Sequence, residues 1–119
     1  DFTPSTGVDN FAVIDDDPYS DSTYNGSSTV TDKDIFDLAN RTHTGTPLAV
    51  VLCTRALKDD ANARTLDTIL VGASQVAQTE VTLAESAGWQ FDVVAVDTDG
   101  SVWDNTAVNA AQCGYEVAT

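Results

Sequence analysis

At 119 residues the chain is long enough to bury one hydrophobic core and short for two. It carries 19 acidic residues against 5 basic ones, a formal charge of −14. A polyanion of this kind repels phosphate, so nucleic acid is excluded as the expected partner. No run of about 18 apolar residues occurs, so no membrane-spanning helix is expected. The opening DFTPSTGVDN has neither the basic nor the apolar region of a signal peptide. It also lacks an initiator Met, and either a missing Met or a chain cut from a longer one is expected.

Residues 1–30 are rich in Asp, Ser, Thr, Gly and Pro and have no helical period. They predict an extended arm, with FAVI (Phe11 to Ile14) as a candidate first strand. Residues 31–119 predict the folded domain, and STVTDKDIFDLA opens it with a strand. PLAVVLCTRALK, residues 47–58, is the strongest apolar run and predicts a central strand buried on both faces at its start. RTLDTILVGA, residues 64–73, follows across the polar link KDDANA, which predicts a hairpin between the two. QTEVTLAES and WQFDVVAVDT predict two more strands. In the second, Trp89, Phe91, Val93 and Ala95 share one face and Gln90, Asp92, Val94 and Val96 the other.

NTAVNAAQ, residues 105–112, is the one helical stretch, with Asp104 as its N-cap. CGYEVA predicts the last strand. Many short strands with one short helix near the C-terminus predict an all-β, antiparallel β-sandwich.

Three segments occur in this order: STVTDKDIFDLA, TRALKDDANARTL and WDNTAVNAAQCGYEV. Together they resemble a family of small β-sandwich proteins of tailed bacteriophages, found in virions. The resemblance runs over residues 10–118 and rests on order and spacing, with no catalytic motif in it. It implies a jelly-roll or concanavalin-like sandwich and a structural role on the phage particle. The chain departs from the family pattern at DDANAR, which has no Gly, at Cys53 and Cys113, and at Trp89.

DTDGSVWDNTAVN, residues 97–109, is the most site-like stretch. A helix-loop-helix calcium loop needs Gly at position 6 and Glu at position 12. Counted from Asp97, Gly100 falls at position 4 and Val108 at position 12, so that match fails. Asp97, Asp99 and Asp104 remain candidates for an irregular oxygen site, against the reading of a turn that delivers Trp103 to the core and a helix cap. Asp15 to Asp17 form a second acidic cluster, read as a solvated loop or a cation site. His43 has no partner at telling spacing.

Cys53 and Cys113 fall in predicted strands, as two buried thiols or as a disulfide; both readings are open. Arg55, Lys58 and Arg64 sit beside Asp59, Asp60 and Asp67, either as cross-strand pairs or as a docking patch for an acidic partner. Tyr19, Tyr24, Trp89 and Trp103 are candidates for stacking on a sugar. Both tryptophans fall in segments read as core, which favours Tyr19 and Tyr24. Candidate interface residues are therefore Tyr19, Tyr24, Arg55, Lys58 and Arg64.

With the resemblance, these features lead to an expectation of a protein that acts by binding, with no enzyme activity and no cofactor. It is expected to decorate or cement a tailed-phage capsid at the particle surface, as a homo-oligomer contacting other virion proteins. A tail or fibre module that binds a host glycan is the alternative, and a calcium-dependent binding domain a lesser one.

Overall fold

Antiparallel strands account for most of the regular structure, as expected of an all-β chain. A computed structural model describes residues 2–6, 9–14, 18 and 20–119. In chain order the strands are β1 (Thr3–Pro4), β2 (Asn25–Gly26), β3 (Lys33–Asp37), β4 (Val50–Ala56), β5 (Thr65–Val71), β6 (Gln75–Thr82), β7 (Gly88–Val94) and β8 (Gln112–Val117). A single α-helix among the described residues, α1 (Asn105–Ala110), precedes β8.

β3, β8, β5 and β6 form a four-stranded sheet in that order, while β4 pairs only with β7. The two pieces share one core. Leu52 of β4 and Leu70 of β5 belong to the same buried cluster as Trp103 and Ala111. The result is a sandwich-like arrangement of a wide layer under a narrow one.

The doubly buried strand is β5, not the 47–58 run. β5 lies between β8 and β6, and its consecutive residues Ile69 and Leu70 are almost wholly inaccessible. β4 is instead one of two strands in its layer, with Leu48 exposed just before it and Val51 exposed at its start. The expected β4–β5 hairpin is also absent: the two strands fall in different layers, and β4 finds its partner in β7. KDDANA is thus a connection between layers. Arg64 bonding Asp60 at 2.8 Å and Lys58 Nζ donating to the Asn62 carbonyl at 2.6 Å hold its bend.

β3 and β8 approach closely because position 114 has no side chain. A Cβ on Gly114 would lie 2.0 Å from the Asp34 carbonyl oxygen. Any larger residue there forces the strands apart.

A two-stranded layer cannot cover a four-stranded sheet, and the N-terminal segment covers the remainder. Phe2 is buried with Leu66 and Val117 and meets the Tyr115 ring edge-on at 4.7 Å. Phe11 faces Phe36, which in turn faces Tyr115. Asn10 donates to the Phe2 carbonyl and to the Asp34 carboxylate. Burial pushes the Tyr115 hydroxyl up to about 12; Asn25, donating to its oxygen, pulls the other way, and the nearby Asp34 charge adds to the rise.

FAVI is not a strand. Phe11–Val13 is a 3-10 turn, because Asp9 accepts the Ala12 amide with both its carbonyl and its side chain. Tyr19 and the Asp15–Asp17 cluster lie outside the described residues.

Candidate adhesion surface

β4 and β7 run antiparallel with Val50 opposite Val94, Leu52 opposite Asp92 and Thr54 opposite Gln90. These three rungs face the four-stranded sheet, with Leu52 and Asp92 buried. Alternation then sends the intervening rungs outward: Val51 with Val93, Cys53 with Phe91, and Arg55 with Trp89.

The inner rungs carry a polar device. Asp92 accepts hydrogen bonds from the hydroxyls of Thr68 on β5 and Thr79 on β6, and from Gln90 at 3.2 Å. Burial alone would raise its carboxyl, but the three donors outweigh it and hold the group below the usual carboxylate range. A buried charge is thereby satisfied, and the narrow layer is tied to the wide one at a fixed register.

The outer rungs are apolar where a solvated sheet face is normally polar. Val93 is 70% exposed, Phe91 58%, Val51 53% and Trp89 45%. The four expose roughly 400 Å² together, taking ~150–250 Å² for a whole aromatic side chain. That is well within the ~300–600 Å² of the largest patch on a typical monomer, which is often functional. Trp89 and Phe91 stack at 6.0 Å and 22°.

Arg55 is the one charged residue on these outer rungs, and it is neutralised in place. Its Nε and Nη2 donate to the two oxygens of Asp21 at 2.7 Å each. Its guanidinium also lies 5.5 Å from the centre of the Trp89 ring. Arg55 holds the Asp21 carboxyl below its ordinary value. The clamp orders the indole without leaving net charge on the face.

A groove of about 980 Å³ runs beside β4, with Tyr24, Arg55, Lys58 and Arg64 in its lining. The structure therefore brings together all four of the described residues expected at an interface. They do not form a basic patch: Arg55 is paired with Asp21 and Arg64 with Asp60, while Lys58 donates to a backbone carbonyl. Tyr24 is 58% exposed at this groove. Its backbone is held on both sides by Ser5.

The acidic stretch 97–104 is used as a turn. Asp97 accepts from its neighbour Thr98 N–H at 2.6 Å and from Ala73 N–H at 3.3 Å, so it docks this turn on the β5–β6 turn. A Cβ on Gly72 would lie 1.9 Å from that carboxylate, so the contact needs a glycine there. Asp99 accepts from the hydroxyl and the backbone amide of Ser101, which lowers its carboxyl. Asp104 caps α1 by accepting Ala107 N–H at 2.7 Å. Trp103 is buried, its indole N–H bonded to the Val94 carbonyl at 2.9 Å. Among the described residues no three or more His, Cys, Asp and Glu side chains converge to hold a metal. His43 is exposed in the long β3–β4 connection.

Two expectations need correction. Cys53 and Cys113 are both free thiols, one of the two open readings, but Cys53 is exposed and not buried. Because Leu52 points inward, Cys53 points outward, whereas Cys113 packs against the Leu52–Leu70 cluster, so the strand alternation puts them on different sides of the narrow layer. Trp89 is likewise not core. The alternation of Trp89, Phe91 and Val93 was readable in the sequence; which of the two faces turns inward was not. No family model, curated protein or solved structure matches the chain.

Proposed function

We propose that this protein works by adhesion, as a non-catalytic structural component of a tailed-phage virion, in the form of a decoration or cement protein at the capsid surface. The observation that carries the reading is the outward face of β4–β7, where Val51, Trp89, Phe91 and Val93 meet solvent on a rigid two-layer support. An apolar face of this size is ordinary on a monomer and is often functional. The support is stiff because Asp92, Thr68 and Thr79 lock the layers together. The resemblance of the KDIFDLA, TRALKDDANARTL and VNAAQCG segments to virion proteins supplies the setting. The acidic remainder of the surface keeps decorated particles apart. Many copies covering seams between capsomers stabilise a shell by mass action.

The test is to add the purified protein to bare phage shells and follow the shell's thermal transition. A rise in melting temperature that saturates with added protein is expected. Shells that neither bind the protein nor gain stability contradict the capsid role.

One observation favours the tail or fibre alternative. Trp89 is exposed beside the Arg55–Asp21 pair and near the groove holding Tyr24, an aromatic platform flanked by hydrogen-bonding groups of the sort that stacks on a sugar. Binding on a glycan array that disappears in Trp89→Ala, with no effect on shells, establishes that reading instead.

A further inference from the structure

We infer that the outer face of β4–β7 is covered by the same face of a second copy of this chain, in a two-fold symmetric pair. The inference rests on the adhesive reading of this face and names its partner.

Charge selects the occupant. The chain carries −14, yet the outer rungs hold no carboxylate, and their single cation is cancelled by Asp21. A basic partner would find nothing on this face to pair with, and an acidic partner no spare cation. What fits is a neutral, apolar surface, and the chain's own β4–β7 face is one.

Symmetry and area agree. A two-fold contact requires one patch that complements itself. Two small sheets stacked face to face meet this requirement in the manner of sandwich layers, with side chains of each set between those of the other. A standard interface covers about 800 Å² per partner. The roughly 400 Å² exposed by Val51, Trp89, Phe91 and Val93 supplies the apolar centre of such a patch. The exposed residues Leu57 and Ala95 continue it at either end. Trp89, held by Arg55, is an ordered anchor of the kind that dominates binding energy.

Sedimentation velocity over a concentration series is the test, run at low and at physiological ionic strength. A reversible monomer–dimer equilibrium is expected. It tightens several-fold as salt rises from ~0.01 M to ~0.15 M, because screening between two anionic bodies improves as the Debye length falls from about 30 Å to about 8 Å. Phe91→Asp puts a carboxylate at the centre of the contact and weakens association by on the order of tenfold or more. Val93→Thr, which keeps a β-branched side chain in the strand, weakens it in the same direction with an unchanged monomer melt.

A chain that stays monomeric under all conditions overturns the inference. So does a dimer that salt dissociates, or one that survives both substitutions. Shell binding is scored separately. A strict monomer that still stabilises shells removes the second copy and keeps the adhesive reading; a salt-tightened dimer that ignores shells supports the pair and removes the capsid role.

Discussion

The two faces of the β4–β7 pair are built from alternate residues of the same strands and obey different chemistry. The inner face contains a buried carboxylate, Asp92, and is nevertheless the interior; the outer face contains Phe91, Val93 and Trp89 and meets water. Apolar content alone therefore does not say which side of a strand is the core. What decides it is whether the polar members of a face can find partners. Asp92 finds Thr68, Thr79 and Gln90, so that face can close over the four-stranded sheet.

Adjacent residues on one strand give the sharpest contrast. Leu52→Ala opens a cavity in the cluster with Leu70, Trp103 and Ala111, and a loss of about 2–5 kcal/mol in urea unfolding is expected. Next in size is Asp92→Asn, expected to cost about 1–3 kcal/mol at neutral pH, since the hydroxyls of Thr68 and Thr79 lose an ionised acceptor.

The pH dependence of that loss has a definite sign. The folded carboxyl of Asp92 lies below its unfolded value of about 3.9. Its contribution is therefore complete above that value and disappears as the pH falls through the folded pKa. The stability gap between wild type and Asp92→Asn should narrow in urea titrations carried from pH 7 to below about pH 4. A gap that widens on acidification would place the charge outside the lock.

Behind the inner face, Asp104→Ala removes the cap of α1 and should cost about 1 kcal/mol, read as a lower melting temperature. Smallest of all is Val51→Thr. One residue from Leu52 but on the outer face, it should change monomer stability by less than about 0.5 kcal/mol while still reducing adhesion.

The same contrast explains what the sequence disclosed. A period-two pattern located β7, apolar runs located β5 and β8, and capping chemistry located Asp104 and α1, because these signals are local. The reading of the acidic stretch 97–104 as turn, tryptophan and cap was equally local, set by Asp, Gly and Trp neighbours. Strand partners were less legible. β4 and β5 are close in sequence and looked like a hairpin, yet β4 pairs with β7. The choice is fixed by contacts between residues far apart in the chain, which no local pattern records.

The orientation of the outer face was missed for a related reason. Trp89 and Phe91 satisfy every local criterion for a core strand, and contacts made far along the chain turn them outward: the hydrogen bonds of Asp92 to two other strands and the packing of Val50, Leu52 and Val94 against Leu70 and Trp103. Phe2 carries no pattern at all; it becomes core because the narrow layer leaves Leu66 and Val117 to be covered.

The central claim is that the outer face of β4–β7 is where the molecule adheres, and Cys53 reports on it directly. Its thiol is exposed opposite Phe91 in the middle of that face, while Cys113 is half-buried, its thiol pushed up by burial, and serves as a slow internal reference. The measurement is the rate of Cys53 alkylation by N-ethylmaleimide, in dilute free protein and in protein bound to particles, read by mass spectrometry. Rapid labelling of the free chain and strong protection on the particle is the predicted result. Cys53 that labels on the particle as rapidly as in the dilute free chain would contradict the account.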